Sequence, residues 1–195
     1  MAVQNFLTRG NGKLDTSILG WSITPVKSCL NCKDCKKDCY AIGPYNRWPD
    51  VKKAWDRNFI MAKQGTFIDS VIGQIKRSRT AKAVRIHVAG DFFNQDYVSM
   101  WSKIVKSCPK IRFYGYTKVK HLIDFSELEN NPNMNLINSI AVDGGINFGD
   151  ETRVQELMAM GYRVCPATIK GNDVHCGGDG CTLCQTENKV CFYIH

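Results

Sequence analysis

Ten cysteines in a chain of 195 residues constrain this fold more than any other feature, because of where they stand. Cys29, Cys32, Cys35 and Cys39 form one group, spaced C-x2-C-x2-C-x3-C; Cys165, Cys176, Cys181, Cys184 and Cys191 form another, and Cys108 stands alone between them. A chain this long buries enough surface to fold without staples. Its cysteine content also lies below the roughly 8–10% that marks a disulfide scaffold. The start, MAVQNFLTRGNGKLD, has no apolar stretch of the kind a signal peptide needs. The expected compartment is therefore the cytoplasm, where thiols stay reduced. No run approaches the roughly 18 apolar residues that span a bilayer, so no membrane contact is expected.

Reduced cysteines at two-residue spacing read as ligands, since a tight turn aims two sulfurs at one metal atom or at two corners of a cluster. The first group follows the bacterial ferredoxin run, except that Tyr40 rather than Pro follows Cys39. Lys27, Lys33, Lys36 and Lys37 flank these thiols and are expected to lower their pKa. In the second group Cys181 and Cys184 are a tight pair, and Cys176 and Cys165 complete a set of four. Gly177, Gly178 and Gly180 permit the turns of a ligand loop. His175 could replace a sulfur in a zinc-type set, and Cys191 reads as a spare. The expected metal ligands are Cys29, Cys32, Cys35, Cys39, Cys165, Cys176, Cys181 and Cys184. The expected cofactor is one or two [4Fe–4S] clusters, with zinc as the alternative. Cys108, ahead of Pro109, reads as a small buried hydrophobe.

The formal charge of +8 counts every cysteine as a neutral thiol. Two four-thiolate sites would each carry a net charge of about −2, leaving about +4. Basic residues, including Lys76-Arg77-Ser78-Arg79, are scattered rather than gathered in a stripe. A nucleic-acid partner is only weakly indicated.

Between the cysteine groups, short apolar runs alternate with amphipathic stretches. Strands are expected over 16–24, 84–90, 111–117, within 134–145 and over 162–166. Helices are expected from 49 to about 63, from a Thr66 cap through Phe67, Val71, Ile72 and Ile75, over 95–107, over roughly 118–129, and over 151–160. Val98, Trp101, Ile104 and Val105 form the core stripe of the third, Val154, Leu157 and Met158 that of the last, and Gly161 suits its C′ position. The alternation predicts a single α/β domain over 1–195 with a mainly parallel sheet, either open or as a partial (β/α) barrel. Segments 29–39 and 165–191 are its cluster-binding parts.

Ligands of such folds sit outside the carboxyl ends of the strands. Asp91, Thr117, Lys118 and Asp143 follow strand ends and are expected to line a site there for a cofactor or small-molecule substrate, on one rim with Cys29–Cys39 and Cys165. Asp91 and Asp143, beside glycine, also suit turns or caps. His87 falls within a strand and reads as core or cluster shell; His121 and His195 read as surface. Tyr40, Tyr45, Trp48 and Trp55 near the first group read as a water-excluding shield.

The segments NGKLDTSILGWSITPVKSC (11–29), CYA (39–41), PDVKKAWDRNF (49–59), VRIHVAGDFF (84–93) and the CP at 165–166, with Cys176, Cys181 and Cys184 beyond, resemble the phage gene-product-88-like family. The resemblance implies a phage or prophage protein in the host cytoplasm, with cysteines suited to iron–sulfur clusters. It also implies that Cys29, Cys35 and Cys39 are the constant members of the first motif and Cys32 an additional thiol. The scaffold is similar to the partial barrels of radical S-adenosylmethionine enzymes. Their C-x3-C-x2-C motif is absent, because position 42 is Ile42. The expected function is an iron–sulfur protein with a redox or cluster-based role. The alternatives are a zinc-stabilised nucleic-acid-binding protein or a metal-stabilised protein acting on a host factor.

Overall fold

The computed structural model describes residues 4–30, 32, 36–37, 39–139, 148–149, 151–166, 174, 176–177, 180–187 and 189–193, without the side chains of 148–149 and 191–193. The main sheet has five strands in sequential order: β1 (Thr8–Arg9), β2 (Ile18–Ser22), β3 (Ala83–Ala89), β4 (Arg112–Thr117) and β5 (Met134–Asn138). β1 pairs antiparallel with β2, and β2 through β5 are parallel. Helices α1 (Ile42–Arg47), α2 (Pro49–Met61) and α3 (Phe67–Arg77) lie between β2 and β3 in sequence. Helix α4 (Gln95–Ser107) joins β3 to β4, and α5 (Ser126–Glu129) joins β4 to β5. Of the two expected forms, these strands make the open sheet, with β1 and β5 as its edges.

Sequential parallel strands with crossovers of one hand put the connecting helices on one face. Side chains alternate across each strand. Leu19, Trp21, Val84, Ile86, Phe113 and Leu136 accordingly pack with Phe67, Val71, Val98, Trp101, Ile104 and Leu128 of the helices. An aromatic cluster fills the middle of this core, with Trp21, Phe67 and Trp101 meeting at ring-centre separations of 5.3 to 5.9 Å. Helix α4 begins where Asn94 Oδ1 accepts from the Tyr97 N–H at 2.8 Å, satisfying one of the free N–H groups of its first turn.

The other face carries Ile18, Ala83, Tyr114 and Ile137, and a parallel sheet needs cover on both sides. That cover comes from the C-terminal segment: Leu14, Cys165, Cys184 and Val190 form one cluster with these residues. Nearby lies a small second sheet of β6 (Phe148–Gly149), β8 (Val190–Tyr193) and β7 (Arg163–Val164), with α6 (Glu151–Ala159) between β6 and β7 in sequence.

Several expectations are corrected here. The strand expected at 162–166 shortens to Arg163–Val164 and pairs with β8, not with the main sheet. The helix expected over 118–129 contracts to Ser126–Glu129, because 118–125 turns repeatedly while burying Val119, Ile123 and Phe125. Met158 is exposed, and only Val154 and Leu157 of its stripe are buried. Thr66 precedes α3 without capping it; its hydroxyl contacts the Met61 sulfur at 3.7 Å instead. Gly161 adopts the left-handed conformation expected of it, at φ 84°, and Cys108 is buried in the helix-side core. Among the described residues no helix is long and apolar enough to cross a membrane.

Candidate functional site

The site is built from the ends of β2 and β3. Beyond β2 the chain turns sharply at Val26, whose φ of 68° is rare for a β-branched residue. Lys27 N–H donates to the Pro25 carbonyl at 2.7 Å, closing a three-residue turn. Buried Ser28 locks the turn by donating its hydroxyl to the Thr24 carbonyl at 2.6 Å. Helix α2 holds the same point, since Asp56 accepts from Thr24 at 2.6 Å and from Tyr45 at 2.7 Å. This strained, well-anchored turn delivers Cys29. Gly90, at the end of β3, presses against it with φ 85°; a Cβ there would stand 2.4 Å from Ile23 Cγ1 and 2.7 Å from Ser28 Oγ.

Asp91 follows directly and is buried. Its Oδ1 accepts from the Phe92 N–H at 2.7 Å and the Thr117 hydroxyl at 2.8 Å, and its Oδ2 from the Lys118 N–H at 2.9 Å. The structure thus joins Asp91, Thr117 and Lys118 across the ends of β3 and β4. Burial lifts the Asp91 carboxyl to about 6 against the pull of those hydrogen bonds. The Cys29 thiol is pushed up to about 12, by burial first and then by Asp91. The expected lowering of this thiol by flanking lysines is overturned, because desolvation of a thiolate outweighs charges standing in water.

The second cysteine group lies on the face of the main sheet opposite α3 and α4, with Cys184 in a single 3-10 turn over Leu183–Gln185. Cys176 N–H donates to the Lys13 carbonyl at 3.0 Å, and the Cys176 carbonyl accepts from Asp15 N–H at 2.8 Å. Gly177 N–H then donates to the Cys181 carbonyl at 2.8 Å, closing a loop between the two cysteines. Leu183 N–H donates to the Cys181 sulfur at 3.4 Å. Asn135 of β5 anchors the segment by donating to the carbonyls of Cys184 and Glu187, both at 3.0 Å. Burial pushes the Cys184 thiol up to about 12, although the Tyr116 hydroxyl and Arg85 favour its anion. Cys176 is raised by burial as well.

Arg85 of β3 connects the two groups. Its guanidinium carbon is 5.2 Å from the Tyr116 ring centre, and its Nε is sequestered with no hydrogen-bond partner. Burial opposes its charge, while Tyr40, Tyr116, Tyr114 and Cys176 around it favour the cation and raise its pKa. Among the described residues no carboxylate pairs with it. Tyr40, from the first group, lays an exposed ring over this region and donates its hydroxyl to the Val88 carbonyl. The Tyr114 hydroxyl is buried and unpartnered. Tyr45 and Trp55 stack at 6.2 Å, and Trp48 stands exposed.

Cys35, Lys33, Asp143, Gly178, His175 and His195 lie outside the described residues, as does the side chain of Cys191. Among the described residues no three His, Cys, Asp or Glu side chains stand close enough to hold an ion. The rim expected to unite Cys29–Cys39 with Cys165 takes another form: Cys165 is buried in the cluster on the far side of the sheet from α3 and α4. Arg85, Tyr114 and Tyr116 went unnoticed as site residues in the sequence. Their signal was present in the alternation of β3 and β4, which puts these three polar side chains on one face.

An open α/β sheet with helices on one face and a cysteine-bearing segment on the other defines the class. The family model for gene product 88 matches residues 5–165, and the chain belongs to that family. The Gene 88 protein of Mycobacterium phage L5 is 28% identical over 109 residues, 47% of this chain and 44% of the relative. The Gene 88 protein of Mycobacterium phage D29 is 26% identical over the same shares. The matched region thus spans less than half the length of these relatives. No solved structure matches the chain.

Proposed function

We propose that the protein is an iron–sulfur protein whose two cysteine groups hold one or two [4Fe–4S] clusters at the sheet face opposite α3 and α4 and the adjoining end of β2. The observation that carries this reading is Arg85, a cation held in a partly dry region with no carboxylate partner among the described residues. An uncompensated buried charge costs several kcal/mol by order of magnitude, so an anion belongs beside it. Cys176 and Cys184 are among the groups that feel its charge, and a four-thiolate cluster centre is net negative. Cys165, Cys176, Cys181 and Cys184 would hold one centre, and Cys29, Cys32, Cys35 and Cys39 the other. The described sulfurs do not yet enclose an ion, so loading draws the segments together and expels thiol protons.

Such a cluster supplies electron transfer when fully ligated, or a Lewis-acidic iron when one position stays open. The chain's own residues do the rest. Arg85 offsets the centre's charge, the Leu183 N–H and the Tyr116 hydroxyl donate to sulfurs, and the Tyr40 ring limits water. Asp91, with Thr117 and Lys118, forms the polar end at which a small-molecule substrate would meet the first group. The test compares anaerobically purified variants. Cys184→Ser and Cys29→Ser are each expected to lose at least half of the iron and sulfide per chain, whereas Cys108→Ser keeps both. Wild-type iron in Cys184→Ser and Cys29→Ser would overturn the reading.

A further inference from the structure

A groove of about 560 Å3 lies between β1 and helices α2 and α3, with no described cysteine in its lining. Arg9, Arg57 and Arg77 line it, and no described Asp or Glu does. Its walls are rigid for a local reason. Gln74 Oε1 accepts from the N–H groups of Phe6 and Leu7 at 2.7 and 2.9 Å, and its Nε2 donates to the Leu7 carbonyl at 2.8 Å. Asn58 donates to the carbonyls of Phe6 and Ser22, both at 2.9 Å. Both amides, buried, tie the N-terminal strand to the helices.

Two of the guanidinium groups are held by neutral partners. Arg9 donates to the hydroxyls of Thr80 at 2.8 Å and Ser78 at 3.0 Å. Arg57 donates to the Asn5 carbonyl at 2.8 Å and to Asn58 Oδ1 at 3.2 Å, and lies 5.2 Å over the Phe6 ring. Its Nε is sequestered without a partner, and burial lowers its pKa. Arg77 lies back along α3, where a Cβ on Gly73 would meet its Nη1 at 3.2 Å. None of the three takes part in an ion pair among the described residues. Two guanidinium groups preoriented by neutral anchors, with Arg77 beside them on the same concavity and no described counter-charge in its lining, match the planar donor pattern that phosphate accepts.

We propose that this groove binds a phosphate group, carried either by a free phosphate compound or by a nucleic-acid backbone. The test uses the full chain with two probes, inorganic pyrophosphate by calorimetry and a fluorescent 12-nucleotide deoxythymidine strand by anisotropy. Arg9→Gln and Arg77→Gln, at exposed positions that do not threaten the fold, are each expected to weaken binding about tenfold or more. Lys103→Gln, on the exposed side of α4, leaves affinity unchanged. If the strand binds, log affinity falls against log salt with a slope of about −2 for three contacts, and each arginine removed lessens it by about 0.7. Pyrophosphate binding alone assigns the groove to a free phosphate ligand. Strand binding competed by pyrophosphate assigns it to the backbone, and either result supports the proposal. Failure of both probes to bind, or equal losses in the arginine and Lys103 variants, overturns it.

Discussion

Gly177→Ala is expected to release the cysteine segment from the sheet while leaving the helix-side core folded. Gly177 has φ 84°, and a Cβ on it would stand 2.5 Å from Ile18 Cδ1 and 2.8 Å from Ile18 Cγ1. Ile18 is 1% exposed and lies on β2 against the same cluster as Cys165 and Cys184, so it has little room to retreat. Left-handed strain of roughly 1–2 kcal/mol adds to an overpacking cost of about 1–3 kcal/mol. That total falls at the point where Cys176 bonds to Lys13 and Asp15, and on the apolar cluster that Ile18 shares with Cys165, Cys184 and Val190. In metal-free protein, alkylation of Cys165 and Cys184 should accelerate by at least tenfold, while Cys108, in the other core, stays protected. Gly12→Ala, where an added Cβ meets nothing within 4 Å, is the matched control. Unchanged alkylation in Gly177→Ala would contradict the docking described here.

Acid should weaken the fold through His87, and His87→Asn should remove that effect. His87 occupies the irregular part of β3, where the register passes from Gly20 opposite Arg85 to Ser22 opposite Ala89. Its φ is 59°, a conformation Asn tolerates well. The ring is 3% exposed and packs edge-on against Phe92 at 4.5 Å. Nε2 is 3.1 Å from the Tyr97 hydroxyl, which also receives the Trp21 N–H at 2.8 Å. Burial lowers the His87 pKa from 6.5 to about 3. The unfolded chain therefore binds a proton that the folded chain refuses between those values. The stabilisation is complete above about 6.5 and is lost as pH falls toward 3. From pH 7 to pH 5 that loss is about 2 kcal/mol. Asp91, raised to about 6, acts in the opposite direction, with stability lost as pH rises through 6. The reading is therefore the difference between wild type and variant in urea midpoints across this range. His87→Asn is less stable at pH 7, by about 1–3 kcal/mol, yet loses less on acidification. Parallel curves would show that His87 does not titrate as its burial requires.

Much of the helix side was legible because its signals are local. The stripe Val98, Trp101, Ile104 and Val105 spells out α4, and every member is fully buried. The runs around 84–90 and 111–117 gave β3 and β4 within a residue or two. The C-terminal half was less legible. Arg163–Val164 is too short to announce its partner, and only the distant β8 supplies one. Segment 118–125 has helical composition, but Lys118 N–H is drawn to Asp91 and Val119 N–H to the Thr117 hydroxyl at 3.2 Å, which bends the chain away from a helix. Asp91, Thr117 and Lys118 could be foreseen as neighbours because strand ends of a parallel sheet converge. Arg85 and the tyrosines beside it could not be weighed in advance, because their meaning depends on what covers the face. The amides of Asn58 and Gln74 likewise tie backbone that lies more than 30 residues away in sequence.

The direct measurement is a count of iron, acid-labile sulfide and zinc per chain in protein purified without oxygen. A brown protein is expected, with about four iron and four sulfide for each [4Fe–4S] cluster held. A colourless protein carrying zinc without sulfide, or no metal at all, would contradict it.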